Sequence, residues 1–186
     1  MPHVFSGLVA VGLMLSAMLG QAKADYTFTT LDPPGSTDST AYGINGSGQI
    51  VGTYGGAGVG GIFLRDVDGS YSTLDDVPDS IGFGTQPDKI NASGHIVGAY
   101  LGLDMYYGPR FYGFLRDVDG SYTTLDVPGS HDTFALGING SGQIVGGYNG
   151  HGFLRDVDGS YTTLDLPGSR FTAPSGISGS GQIAGT

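Results

Sequence analysis

Three short blocks recur along this chain in a fixed order, and that repetition limits the folds open to it more than any other feature. The first block, Ile44-Asn45-Gly46-Ser47-Gly48-Gln49-Ile50-Val51-Gly52, returns as Ile90-Asn91-Ala92-Ser93-Gly94-His95-Ile96-Val97-Gly98 and from Ile138 to Gly146. A fourth version reads Ile177-Ser178-Gly179-Ser180-Gly181-Gln182-Ile183-Ala184-Gly185. The second block, Phe63-Leu64-Arg65-Asp66-Val67-Asp68-Gly69-Ser70-Tyr71, returns unchanged at Phe114 to Tyr122 and Phe153 to Tyr161. The third, Thr123-Thr124-Leu125-Asp126-Val127-Pro128-Gly129-Ser130, has relatives at Thr29 to Ser36, Thr73 to Ser80 and Thr163 to Ser169. Ile44, Ile90, Ile138 and Ile177 stand 46, 48 and 39 residues apart. That is the length of one four-stranded propeller blade, not of a leucine-rich or ankyrin repeat.

Each repeat reads as strands joined by turns. Gln-Ile-Val-Gly, Gly-Phe-Leu-Arg and Tyr-Thr-Thr-Leu are short, β-branched or aromatic, and bounded by Gly or Asn. The stretch before each Ile-Asn, such as Thr40 to Ile44, supplies a fourth strand. Asn-Gly-Ser-Gly and Asp-Val-Asp-Gly are tight-turn sequences. Composition agrees: 36 residues are Gly, and all 17 acidic residues are Asp, a turn former, with no Glu for helical faces. Hydrophobic residues at 39%, with 11 Tyr and 9 Phe, supply enough apolar surface to exclude simple disorder. The expected fold is all-β, a propeller-like array of four-stranded repeats. Three full copies lie between Gly43 and Ser169, with the closing block of another at Tyr26 to Ser36 and an opening block at Gly176 to Thr186. Those two pieces would join as a split blade without a Gly-Phe-Leu-Arg strand. The expectation is therefore an incomplete array, either a truncated frame or an open arc with exposed edges.

Spacing separates fixed connections from variable ones. Phe to Leu across the Asp-Val-Asp-Gly turn is always 11 residues, and Leu to the next Ile is 13, except for 16 between Leu74 and Ile90. Ile to the next Phe varies as 19, 24 and 15. In an up-and-down meander the two tight turns share one end of the blade, and the variable hairpins share the other with the Asp-Val-Pro-Gly-Ser loops. Variable loops on a rigid scaffold are where function resides.

Residues Leu8 to Leu19 form an apolar run followed by Ala22-Lys23-Ala24, a small-residue cleavage site of the A-x-A type. Residues 1–24 read as a signal peptide and 25–186 as one β-repeat domain, secreted or at the cell surface after cleavage near Ala24. The apolar run is shorter than the ~20 residues of a spanning helix, so no membrane span is expected after cleavage. Loss of Lys23 takes the formal net charge from −10 to −11. Such acidity opposes nucleic-acid binding, which needs clustered Lys and Arg. The absence of Cys excludes disulfides and thiolate metal sites.

The succession Gly-Ile-Asn-Gly-Ser-Gly-Gln-Ile-Val-Gly, then Gly-Phe-Leu-Arg, then Tyr-Thr-Thr-Leu-Asp-Val-Pro-Gly-Ser resembles the bacterial probable extracellular repeat proteins of the HAF family. The resemblance covers nearly all of the chain after residue 24. The family's His-Ala-Phe motif is approached at His151-Gly152-Phe153, whereas the other copies read Gly61-Ile62-Phe63 and Tyr112-Gly113-Phe114. The resemblance implies an exported, propeller-like repeat protein and brings no catalytic residues.

Three groups of residues are candidates for chemistry. The insertion Leu101 to Tyr112 is the non-repetitive aromatic cluster, and Asp104, Tyr106, Tyr107, Arg110, Phe111 and Tyr112 suit stacking on a sugar or gripping a peptide. The alternative is an elongated hairpin whose aromatics cover a neighbouring sheet. The pairs Asp66/Asp68, Asp117/Asp119 and Asp156/Asp158 precede a Gly and offer oxygen ligands to Ca2+, although β-turn closure is the favoured explanation and no Glu is available for an EF-type loop. The Asn-x-Ser triplets at Asn45, Asn91 and Asn139 match glycosylation sequons, and turn chemistry accounts for them. No nucleophile elbow or metal motif is present, and His95, His131 and His151 occupy different repeat positions. The functional expectation is a non-enzymatic binding or structural module, with an extracellular glycan or protein surface as partner. The alternatives are a carbohydrate-active enzyme using loop carboxylates such as Asp88, Asp104 and Asp132, and a Ca2+-stabilised surface repeat without a small ligand.

Overall fold

The structure, a computed structural model, describes residues 27–56 and 59–186, so the segment read as a signal peptide lies outside the described residues. Every strand belongs to the compact unit Leu31–Thr186. In the preceding unit, Met1–Thr30, the described residues 27–30 form neither helix nor strand.

The Ile-, Val-, Tyr- and Thr-rich segments are strands, as the repeat pattern requires. The first sheet comprises β1 (Asp38–Ile44), β2 (Ile50–Gly56), β3 (Val59–Arg65) and β4 (Tyr71–Leu74). The second comprises β5 (Ser80–Ile90), β6 (Ile96–Asp104), β7 (Gly108–Arg116) and β8 (Tyr122–Leu125). The third comprises β9 (Thr133–Ile138), β10 (Ile144–Tyr148), β11 (His151–Arg155) and β12 (Tyr161–Leu164). A hairpin of β13 (Pro174–Ile177) and β14 (Ile183–Gly185) follows. Each four-stranded sheet is an antiparallel meander in sequence order. The first strands lie side by side, β1 with β5, β5 with β9 and β9 with β13. This is the blade arrangement of a β-propeller, here in a series of sheets that is not closed into a ring. Among the described residues no helix is long and apolar enough to cross a membrane.

Apolar side chains from facing sheets fill the spaces between blades. Phe114 of the second sheet packs with Val51, Ile62 and Leu74 of the first, while Val97 and Leu125 of the second pack with Ile144 and Phe153 of the third. The Phe of each Phe-Leu-Arg segment is buried in all three sheets. A buried Phe is worth roughly 1.5–3 kcal/mol from transfer alone, so the wedges between sheets carry much of the stability.

The repeated Asn does more than close a turn. Asn91 Oδ1 accepts the N–H groups of Ser93 and His95, each at 3.0 Å, and Nδ2 lies 3.2 Å from His95 Nδ1. The same Nδ2 donates to Asn139 O, in the next sheet, at 3.1 Å. Asn45 donates likewise to Asn91 O at 3.1 Å, and Asn139 to Ser178 O at 3.2 Å. All three side chains are buried and bonded at every amide position, so the sequon amides are structural staples from blade to blade.

A β-bulge recurs on the first strand of every sheet. Register shifts between Ala41 and Gly43, Pro87 and Lys89, Ala135 and Gly137, and Pro174 and Gly176. The extra residues are Tyr42, Asp88, Leu136 and Ser175, each two positions before the repeated Ile. The bulge presses a carbonyl onto the partner strand's glycine. A Cβ on Gly52, Gly98, Gly146 or Gly185 would collide with the oxygen of Thr40, Gln86, Phe134 or Ala173. That close approach is why Gly ends every Ile-Val-Gly or Ile-Ala-Gly segment.

Replacing Asn91 with Ala takes the acceptor from the Ser93 and His95 N–H groups and the donor from the buried Asn139 carbonyl, at about 1–3 kcal/mol for each group that water does not reach. Asn91→Ala should therefore lower unfolding stability by about 2–4 kcal/mol in a denaturant titration, whereas the exposed Asn149→Ala should cost less than half of that.

Candidate functional site

The two kinds of tight turn meet at one end of each sheet. Gln49 Nε2 donates to Asp66 Oδ1 at 3.3 Å, Gln143 Nε2 to Asp156 Oδ1 at 3.4 Å, and in the second sheet His95 Nε2 lies 3.3 Å from Asp117 Oδ1. The turn aspartates are engaged locally. Asp66, Asp117 and Asp156 each accept the N–H of the following Val, at 2.8, 2.7 and 2.9 Å. Asp68 and Asp158 accept both the hydroxyl and the N–H of Ser70 and Ser160, and Asp119 accepts the N–H of Ser121. These serine hydrogen bonds hold the Asp68, Asp119 and Asp158 carboxyls below the usual range. Among the described residues no group of three or more His, Asp or Glu side chains is arranged around a common metal position.

The variable hairpins share the opposite end, and there the aromatic insertion divides into separate roles. β6 and β7 form the elongated hairpin, with register unbroken from Ile96↔Arg116 to Asp104↔Gly108. Asp104 Oδ1 caps its tip by accepting the N–H groups of Tyr106 and Tyr107 at 2.8 and 3.0 Å, which holds its pKa below the usual carboxylate value. Tyr106 and Tyr107 project from the tip, 85% and 64% exposed. Tyr112 stacks on Tyr100 at 5.4 Å, and the Arg110 guanidinium lies 4.1 Å from the Tyr112 ring centroid. Arg110 is buried and committed: it forks onto Asp126 at 3.3 and 2.7 Å and donates to the carbonyls of Ser130 and His131, each at 3.0 Å. It ties the hairpin of the second sheet to the loop entering the third, so its guanidinium is not offered to a ligand. Phe111 reaches across to Phe134 of the third sheet, centroids 5.2 Å apart.

Between these loops and the first strands lies a groove of about 840 Å³. Tyr42, Asp88 and Leu136, the bulge residues of β1, β5 and β9, all line it. Bulges re-aim side chains, and here they turn one variable residue per blade into a common space. Tyr54, Phe111 and Phe134 add aromatic wall, and Asp38 and Asp76 bring the carboxylates to three. Of the six hairpin residues singled out by sequence, Phe111 is the one that lines this groove.

The second repeat carries two uncompensated polar groups at the groove. Thr133 and Thr172, five residues before their Ile, each accept a hydrogen bond from the preceding loop, from Val127 N at 3.2 Å and Leu166 N at 3.0 Å. Thr85 holds the same position, is only 6% exposed, and its hydroxyl has no partner. The preceding loop is the lengthened one, 16 residues from Leu74 to Ile90 against 13 elsewhere, and it no longer presents an N–H to this threonine. Asp88 is half-buried, and desolvation lifts its carboxyl from 3.8 to about 6, against a smaller opposing pull from Lys89. A signal for these residues is present in the sequence: the position two before the repeated Ile reads Tyr, Asp, Leu and Ser, next to blocks that hardly change.

No family model matches the chain, and no curated protein matches it closely. Among solved structures it is similar to virginiamycin B lyase from Staphylococcus aureus, at 15% sequence identity and a TM-score of 0.40, over 78% of this chain and 54% of that one. The chain thus spans about half the length of that lyase.

The folded state holds the Asp88 proton more tightly than the unfolded chain, because its value there lies above 3.8. The stability that goes with the neutral carboxyl is complete below about pH 4 and is lost as pH rises through about 6. Asp88→Asn should therefore raise the melting temperature by about 2–4 °C near pH 8, after allowance for solvent screening of a partly exposed group, and leave it unchanged near pH 4.

Proposed function

We propose that the chain is an exported, non-enzymatic module that binds an extracellular glycan in the groove at the variable-loop end. The observation that carries this reading is the convergence of three successive bulges on one space: Tyr42, Asp88 and Leu136 occupy the same register position in three sheets, differ in chemistry, and all three line the groove. Its volume falls within the roughly 300–1,000 Å³ of small-molecule sites. Flat aromatic rings give a sugar ring its apolar contact, and carboxylates, hydroxyls and the Gln86 amide supply hydrogen bonds. Tyr106 and Tyr107, exposed at the tip of the long hairpin, extend the same end as a second contact for a long glycan or a protein surface. The resemblance to exported HAF repeats supports the extracellular setting.

A second reading, a carbohydrate-active enzyme, is favoured by one observation. A carboxyl lifted to about 6 is suited to general-acid work, and Asp38 and Asp76 line the same groove. Turnover of a polysaccharide that disappears in Asp88→Asn would select it. A stabilising role for Ca2+ at the turn aspartates would need their carboxylates to serve the ion as well as the turn N–H groups, and an unchanged melting temperature on chelation would remove it.

The main reading is tested by a glycan array and titration calorimetry on the chain and three variants. Tyr42→Ala and Thr85→Val should each weaken binding by about tenfold, about 1.4 kcal/mol, while Thr85→Val, which removes an unpartnered buried hydroxyl, should not lower the melting temperature. The double variant Tyr106→Ala with Tyr107→Ala should matter only for long ligands. Full affinity in both groove variants would move the site elsewhere.

A further inference from the structure

The charged groups of the groove are all of one kind. Asp38, Asp76 and Asp88 line it, and among the described residues no Lys or Arg does. An ionised carboxylate only accepts hydrogen bonds, and an ammonium group only donates them. Among the described residues, Asp88 has no hydrogen-bonding or ion-paired neighbour that favours its charged form beyond the smaller pull of Lys89, so burial leaves its charge uncompensated. Three residues earlier on the same strand, the buried Thr85 hydroxyl also lacks a partner. A desolvated carboxylate and an orphaned hydroxyl facing one space call for a donor-rich cation more than for a neutral molecule. The rings of Tyr42 and Phe134, on the strands to either side, offer flat apolar faces and attract positive charge.

We propose that the ligand is an amino-sugar chain with free ammonium groups, a de-N-acetylated glycan, with Asp88 holding one ammonium and Thr85 Oγ accepting from it. The inference rests on the glycan-binding reading above and adds the charge of the ligand. An N-acetyl group would remove the cation and place a methyl and a carbonyl against carboxylates that can donate nothing to it. Selection between the two forms of one polymer follows from this chemistry.

The experiment titrates the full chain with a glucosamine hexamer and, separately, with its N-acetylated counterpart. The glucosamine hexamer should bind at least about tenfold more tightly. Asp88→Asn should abolish that preference while leaving the affinity for the N-acetylated hexamer within about twofold. Asp158→Asn removes the same formal charge from a turn at the opposite end and should leave the preference intact. Equal affinity of the native chain for both hexamers would overturn the ammonium assignment while leaving the glycan reading in place. A preference lost equally in Asp158→Asn would overturn it too, by assigning the effect to overall charge. Failure of both hexamers to bind, joined to a glycan array indifferent to Tyr42→Ala, would remove both readings together.

Discussion

The side-chain amide that runs from Asn45 to Asn91, to Asn139 and on to Ser178 is the interaction on which the rest of this architecture depends. Apolar wedges between sheets are non-directional and would tolerate sliding of one blade against another. An amide that holds its own turn through Oδ1 and reaches the next turn through Nδ2 fixes register, because a shift leaves buried donors without acceptors. Ser178 shows how the position is read. Its hydroxyl still accepts from Gln182 N at 3.0 Å and closes the turn, but it has no amide to hand onward. Ile44 and Ile90 show the same dependence from the apolar side. The residues are equivalent, yet Ile44 is 67% exposed and Ile90 only 6%, because a sheet packs against the second in a way that none of the described residues provides for the first.

Fixing one end of every blade leaves the other end free to vary. The staples, the Gln–Asp contacts and the His95–Asp117 pair all lie among the tight turns, so hairpin length at the far end can change without disturbing register. The third sheet closes its hairpin with the two residues Asn149 and Gly150, both at positive φ, while the second extends nine residues up each strand. The recurrent bulge then converts sheet position into chemistry. It requires a glycine opposite and in return turns one side chain per blade toward the groove. Arg110 is the cost of the long hairpin: a buried cation made tolerable by Asp126 and two carbonyls, which docks that hairpin on the next blade.

The scaffold was legible in the sequence because it is repeated. Strand identity, meander order, the end shared by the two tight turns and the elongated second hairpin all follow from spacing and turn chemistry. The groove was harder to read for a physical reason. A bulge is a register event between two strands, and the single variable residue it displaces looks like ordinary drift at one position of a repeat. Conspicuous residues drew attention to the hairpin instead, where burial assigns Arg110 and Tyr112 to packing and leaves Tyr106 and Tyr107 in solvent. The Asn triplets close turns, as their sequence implies, but a staple between residues 46 or 48 positions apart cannot be seen in a local motif.

The repeats also act as controls for one another, and that comparison gives the groove its weight. Thr133 and Thr172 are satisfied by their loops, and Leu136 fills its bulge with an apolar side chain. The second repeat departs from both patterns at once: its loop is lengthened, its threonine is orphaned, and its bulge carries a carboxylate whose ionisation burial opposes. The orphaned hydroxyl and the desolvated carboxylate each work against stability. Both fall within four residues of one strand, and both residues line the same groove. Local costs concentrated where side chains converge are the mark of a site that is completed by something outside the chain. The same residue type makes the point from the other direction. At the turns, serine hydroxyls and N–H groups stabilise Asp68 and Asp158 as anions, and nothing remains to be added. At the bulge, Asp88 lacks such donors, and a ligand able to donate is what would restore the balance.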